Sequence, residues 1–358
     1  MKKIAKLSLV AAMAMTAANA GSLEEAIKGV DISGNFTFEY KDVNNDTATN
    51  KESNQENEYD LELTAKVPVN DMVKAIIKID VNDEESQDSG ANNNKNVDVE
   101  DAYFQFTTQY ATINVGQQNI PGPFTDGQQG TGIVALAPVG PVTLAAGYFN
   151  NHTVTGVKDR NAMEVAALAN IAGVNAEIWY ADVDEVLDVY NVKASTKVGP
   201  VALMAQYTSS EEDAAGSKKD TELNVTAALD LDVVEVNAAY IATGDDNDRG
   251  VAIDKDDDAT ATWALEQLVA VDKTDADFYA LGVNGNVTSN INLALDYAGG
   301  DYMNGTAKTD VEEILFTAKY QMSKNFKIRA LYSIYEEEAG STTTVDSTKG
   351  AIELKYSF

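Results

Sequence analysis

His152 is the only histidine of the chain, and cysteine is absent. A hydrolase built on a nucleophile needs an adjacent base to activate it, so the sequence can offer one Ser–His pair and no thiolate. His152 stands beside Asn150, Asn151 and Thr153 with Asp159 as the nearest acid. That setting suits a solvated loop better than a catalytic pair. Thiolate zinc sites and a disulfide framework go with the cysteines. The densest acidic run is Asp245, Asp246, Asp248, Asp254, Asp256, Asp257 and Asp258. Aspartates are hard oxygen ligands suited to Ca2+, and Asp245, Asn247, Gly250 and Asp256 fall at positions one, three, six and twelve of an EF-hand. Arg249 occupies position five and would repel the cation, so the motif is rejected. Asp245, Asp246 and Asp248 remain candidates for a loose Ca2+ site, weighed against a solvated charge run; otherwise no cofactor is expected. No phosphate loop or dinucleotide fingerprint is present.

A second kind of chemistry, the electrostatic handling of solutes, depends on which face of the backbone each charge occupies. The relevant elements are stretches of about ten residues with a period of two, which is strand periodicity. Tyr59, Leu61, Leu63, Ala65 and Val67 alternate with Asp60, Glu62, Thr64 and Lys66; Phe326, Ile328 and Ala330 alternate with Lys327 and Arg329; Ile352, Leu354, Tyr356 and Phe358 close the chain. Eighteen such segments can be counted, with 16 as the alternative. Eight connections are tight turns, at 68–71, 108–110, 138–140, 172–173, 199–200, 230–232, 288–290 and 323–325. The nine that alternate with them are longer and polar: 41–58, 82–96, 119–131, 150–160, 183–188, 208–220, 243–275, 299–308 and 336–348. Strict alternation of short and long connections predicts an all-β, antiparallel, up-and-down transmembrane barrel, with turns at one end and loops at the other. A sandwich has no reason to alternate in this way.

Aromatic placement agrees with a barrel, whose rings gather at the two headgroup levels. Tyr40, Tyr59, Tyr148, Tyr180, Tyr190, Tyr207, Tyr240, Tyr297 and Tyr335 fall beside the long connections, and Phe106, Tyr110, Tyr320, Phe326, Tyr356 and Phe358 beside the turns. The expected outward face is Leu, Ile, Val and Ala, and the inward face Asn, Thr, Glu, Lys and Gly. Strand parity then turns Lys66, Lys74, Lys78, Lys319, Lys327, Arg329 and Lys355 inward as a basic ladder. Inward acids include Glu39, Asp60, Glu62, Asp80, Asp101, Glu177, Glu222, Glu235, Asp296, Glu313 and Glu353, and Trp179 is inward as well.

The 57 acidic and 26 basic residues give a net charge of -31. A field of that sign repels phosphate backbones, so no nucleic-acid partner is expected. Residues 1–20 read as a signal peptide: Lys2, Lys3 and Lys6, an apolar stretch from Leu7, then Ala18-Asn19-Ala20. Residues 21–30 are expected to be a short periplasmic segment and 31–358 the barrel. No later stretch supplies the roughly 18 unbroken apolar residues of a membrane helix. The nine long connections hold 33 of the acids against 11 bases, which places most of the negative charge at the outer mouth.

The signal segment Lys6-Leu7-Ser8-Leu9-Val10-Ala11-Ala12, the start Leu23-Glu24-Glu25-Ala26-Ile27-Lys28-Gly29-Val30-Asp31-Ile32-Ser33-Gly34, and Gly116-Gln117-Gln118 followed by Gly130-Thr131-Gly132 resemble the major outer membrane protein (porin) family of Campylobacter and related bacteria. The resemblance implies a homotrimeric, 18-stranded porin of the bacterial outer membrane. Its partners would be the lipid bilayer, lipopolysaccharide and small hydrophilic solutes. It further implies that the third loop, 119–131, folds into the lumen and sets the narrowest point. Asp126, the one charge of that loop, would then face the basic ladder and create a transverse field of the kind that separates ions. Inward acids at least as numerous as bases point to mild cation selectivity. A barrel enzyme and an adhesin on a plugged barrel are the alternatives from other classes.

Overall fold

The computed structural model describes residues 29–47, 51–86, 96–125, 127–153, 160–245, 250–251, 266–270 and 273–358. The expected signal segment 1–20 and most of 21–30 lie outside the described residues. The strands are β1 (Asp31–Thr47), β2 (Lys51–Asn70), β3 (Val73–Ser86), β4 (Asn96–Thr107), β5 (Thr112–Asn119), β6 (Gln129–Val139), β7 (Val142–His152), β8 (Ala162–Ile171) and β9 (Val174–Val183). They continue with β10 (Leu187–Val198), β11 (Val201–Glu212), β12 (Lys219–Asp230), β13 (Val234–Thr243), β14 (Thr274–Asn286), β15 (Ile291–Asn304), β16 (Ala307–Ser323), β17 (Phe326–Ala339) and β18 (Thr342–Ser357). Each pairs antiparallel with its sequence neighbours, and β1 pairs with β18 from Asn35↔Ser357 to Thr47↔Val345. Eighteen strands therefore form one closed sheet, and the count of eighteen is settled over sixteen.

Closure removes the edges that no hydrocarbon could hydrogen-bond. At a strand spacing of ~4.8 Å and a tilt of roughly 40°, eighteen strands make a backbone cylinder roughly 35 Å across. Side chains cannot fill that width, so the barrel has a lumen. The outer face exposes Ile133, Val165, Ile178, Val192, Leu281, Leu295, Ile314, Phe316 and Ile352, each between about two-fifths and three-fifths accessible. Such an uninterrupted apolar surface is stable only against lipid.

The eight turns fall where the spacing predicts them, but several of the long connections are largely strand or tight turn, 183–188 among them, where only 184–186 separate β9 from β10. β1 runs to Thr47 and β2 starts at Lys51, so most of 41–58 is strand. β15 and β16 meet at Gly305-Thr306, and β17 and β18 at Gly340-Ser341. The reason is physical. A membrane crossing uses ~9–11 residues, and β2 has 20. Above the bilayer both faces of the sheet are wet, so the apolar half of the alternation disappears while the hydrogen-bond ladder continues.

Gly34 lies at the seam. Its N–H donates to the Phe358 carbonyl at 3.0 Å and its carbonyl accepts from the Phe358 N–H at 3.0 Å. A methyl group at residue 34 would stand 2.4 Å from the backbone oxygen of Glu62 and 2.9 Å from the Phe358 ring. The backbone oxygen cannot yield without breaking the β1–β2 ladder. Gly34→Ala is expected to destabilise the closed barrel by about 1–3 kcal/mol, read as a lower urea midpoint for loss of the heat-modifiable band in detergent.

Candidate functional site

The inner face is divided into an ionic wall and an apolar wall. On the ionic wall the charged side chains form a continuous chain across four neighbouring strands. Lys327 on β17 reaches Glu353 on β18 at 3.9 Å, and Arg329 on β17 contacts both Glu353 and Glu39 of β1 at 3.4 Å. Lys41 continues from Glu39 at 3.3 Å to Glu58 of β2 at 2.8 Å. A second group joins Glu62 of β2, Lys78 of β3 and Glu100 of β4, each contact being 2.5 Å, with Asn35 donating to Glu62 at 3.1 Å. Glu100 reaches Lys78 because a bulge inserts it between Val99 and Asp101 in the β3–β4 register.

Sequence parity places these groups on one face, and the cross-strand pairs bring them together. The bases, however, do not stand as an unopposed ladder: Lys78, Lys327 and Arg329 each hold an inward carboxylate. Lys319 is the register neighbour of Arg329, and Lys355 of Lys327. Asp60 faces Thr37 on β1 and Asn82 on β3. Lys66 and Lys74 are exposed beside the β2–β3 turn and form no ion pair among the described residues. Pairs in contact with water contribute ~0.2–1 kcal/mol each. They fix where charge lies in the lumen far more than they stabilise the fold. Parity identified Glu39 but left out Lys41, Glu58 and Glu100, because the first two fall in the stretch expected to be loop and the third in a bulge.

Opposite lies the apolar wall, which corrects the expectation of a uniformly polar interior. From β6 to β10 the buried inward residues include Val134, Ala162, Ala166, Trp179, Ala181, Val183 and Val189. Ile120 and Phe124 of the β5–β6 connection pack into this cluster, with Leu136, Ala145 and Leu168 at its margin. The Phe124 ring is fully buried and meets Trp179 edge-on at 6.3 Å between centroids. The neck of the connection is closed by the Ile120 N–H donating to the Gln128 carbonyl at 2.8 Å and by the Thr125 hydroxyl donating to the Ile120 carbonyl at 2.8 Å. Gly122 has φ +124, and a Cβ there would press within 2.8 Å of the Phe124 ring. The Pro and Gly punctuation thus bends the chain so that one aromatic side chain anchors it. Asp126 lies outside the described residues.

Further inward contacts come from the long β13–β14 connection. Leu268 and Ala270 are buried against Ala239, Ile241, Phe278, Ala298, Val311 and Tyr335. The carboxylate of Glu313, fully buried, accepts backbone N–H bonds from Glu266 at 3.1 Å, Gln267 at 3.1 and 3.2 Å, and Leu268 at 2.8 Å. Tyr335 therefore belongs to the inner face rather than to the outer aromatic belt. Trp263 and the other apolar residues before 266 lie outside the described residues.

His152 ends β7 opposite Gly130 and is only 4% exposed, so it is not the solvated loop residue its neighbours suggest. Asp245 is exposed, while Asp246 and Asp248 lie outside the described residues. Among the described residues no three His, Cys, Asp or Glu side chains gather into a potential metal site.

Residues 1–173 match the family model described as Campylobacter major outer membrane protein. The match covers just under half of the chain, so its N-terminal part is similar to that family. No curated protein sequence matches it. Among solved structures, the barrel is similar to Pseudomonas aeruginosa OpdL (TM-score 0.73, 12% identity, covering 92% of this chain and 99% of that one). It is also similar to Pseudomonas aeruginosa OccK5 (0.71, 13%, 92% and 98%) and Acinetobacter baumannii OccAB1 (0.72, 12%, 92% and 96%). At these identities the likeness speaks for the fold. The chain is an outer membrane porin of bacteria, and its apolar outer belt is the face it presents to lipid.

Truncating the Phe124 ring should free the loop from its wall. Phe124→Ala is expected to remove about 3 kcal/mol or more of packing, seen as faster proteolysis or amide exchange across 120–128 with the barrel still heat-modifiable.

Proposed function

We propose that the chain is a passive diffusion channel for ions and small hydrophilic solutes, mildly selective for cations, working as a homotrimer with lipopolysaccharide around its outer rim. The observation that carries this reading is the ionic chain Lys327–Glu353–Arg329–Glu39–Lys41–Glu58 on the inside of a cylinder whose outside is apolar. Charges that remain hydrated in a membrane protein line water. The three bases and three acids of that chain cancel, while the Glu62–Lys78–Glu100 group carries one excess negative charge. Inward Asp60, Asp80, Glu177 and Asp296 add to the negative side. This balance supports a preference for cations, and Asp126 on the third loop would strengthen it. The trimer rests on the family resemblance alone.

A crossing solute would meet an ionic wall at β16–β18 and β1–β4 and, across the lumen, the loop seated on β6–β10. That asymmetry orients dipolar solutes and leaves the centre to hydrated ions. No step of bond making is required of any residue. A barrel used only as an enzyme scaffold or an adhesin anchor would need no such water-facing ionic wall.

Planar bilayer recordings test the reading directly. Wild-type protein should give discrete conductance steps, with a reversal potential in a KCl gradient displaced toward the cation value. Arg329→Ala leaves the chain with two bases against three acids and should displace it further, whereas Asp126→Ala should bring it back. An anion-side reversal potential in the parent would overturn the selectivity, and the absence of steps would overturn the channel.

A further inference from the structure

The third loop is expected to set the narrowest point, yet the best-defined inward contacts in the molecule belong to a different segment. Residues 266–270 start at the β18 wall, where Lys349 pairs with Glu266 at 2.8 Å and the Ser347 hydroxyl donates to Gln267 Oε1 at 2.7 Å. Gln267 Nε2 donates to the Ser333 hydroxyl on β17 at 2.8 Å, and the Ser333 hydroxyl donates to Glu313 Oε1 on β16 at 2.6 Å. Leu268 and Ala270 then bury themselves over β13 to β15, and the Lys273 N–H closes onto the Ala270 carbonyl at 3.1 Å just before β14. From β14 to β18 the path crosses four strand spacings, roughly 19 Å of inner wall.

We propose that Glu266–Ala270 is a second constriction plate of the channel, and that Glu313 is the positioning residue that holds it in the lumen. The inference rests on the channel reading above. A carboxylate has two oxygens and about four lone-pair sites. At Glu313 they receive the N–H groups of three consecutive loop residues and one hydroxyl, with the side chain wholly removed from solvent. A lumen-lining charge that merely hydrated the pore would stay exposed, as Lys327 does on the neighbouring strand β17. The bonds go to backbone, so the loop is held by its main chain whatever its side chains are, and Gln267 and Lys349 set its register along the wall. Two inward segments, one seated on β6–β10 and the other on β13–β18, then bound the pore from different arcs, with the ionic wall of β18 and β1–β4 between them.

The absence of native cysteine makes the test simple. Single-channel conductance would be measured for the parent, Glu313→Ala and Glu313→Gln, alongside labelling of Leu268→Cys by a small water-soluble thiol reagent. Release of the plate should raise conductance about twofold in Glu313→Ala, with a smaller rise in Glu313→Gln, which keeps one acceptor oxygen. Leu268→Cys, nearly inaccessible in the parent background, should label at least about tenfold faster beside Glu313→Ala, as expected for an opening equilibrium shifted by one decade. Gln267→Ala cuts the bonds to Ser333 and Ser347 from the loop side while leaving the wall intact. It should move both readouts the same way and serves if Glu313→Ala fails to assemble. Unchanged conductance and labelling in Gln267→Ala and in the assembled Glu313 variants would overturn the plate while leaving the channel standing. A parent that gives no steps would overturn both, and the labelling would still decide whether Glu313 holds the segment.

Discussion

Everything in this molecule follows from the need to pair every backbone N–H and C=O that crosses hydrocarbon. An unpaired group there costs several kcal/mol, and an open sheet of eighteen strands would leave two rows of them. The β1–β18 register removes both rows at once, and the reciprocal Gly34–Phe358 bonds carry it to the last residue. Because the sheet must close on itself, its two faces meet two different solvents. The apolar face meets lipid and the polar face meets water, so the hydrophobic effect that builds a core in other folds is spent outside the cylinder.

Loss of a central core leaves the inner surface to be organised by other means, and the two long arcs solve this differently. From β6 to β10 the inner wall carries a buried apolar cluster, and the third loop lays Phe124 and Ile120 on it. Burying one such ring is worth roughly 1.5–3 kcal/mol, enough to hold a loop of nine residues whose neck is already hydrogen-bonded. Over β16–β18 the wall is polar, and the long β13–β14 connection is held through main-chain bonds to a buried carboxylate. A hydrogen bond to a charged group is worth about 1.5–3 kcal/mol net, so these few contacts rival the aromatic anchor. The remaining wall, β18 through β4, carries only side chains paired with one another and stays wet.

Much of the fold could be read from residue order because a period of two and alternating connection lengths are strong signals, and both survive local errors. Lys327 and Arg329 could be assigned to one face, and the neighbourhood of β16–β18 with β1–β3 could be inferred from closure. What escaped has definable causes. Alternation of polarity marks a strand only where one face is dry, so 41–58, 299–308 and 336–348 read as loops although their ladders continue into water. The β6–β9 strands carry apolar residues on both faces, and nothing in Val134, Ala166 or Trp179 says which residues are destined for lipid and which for a loop anchor. Glu313 looked like any inward acid. Its partners are backbone amides forty-five or more residues away, and amides leave no mark in a sequence.

The net charge of -31 must also be apportioned differently once the pairs are known. Parity alone suggested a basic ladder facing an acidic loop, a dipole across the pore. In the structure Lys327, Arg329 and Lys41 are each bound to carboxylates on adjacent strands, so the field they cast across a wide lumen is that of compact, nearly neutral pairs. Such a field decays faster than that of a lone charge and is further screened beyond about 8 Å at physiological salt. Long-range attraction for cations therefore has to come from the unpaired acids and from the acidic outer connections. The paired groups act at short range, on solutes already against the wall, and for these the narrow part of the pore matters more than its total charge.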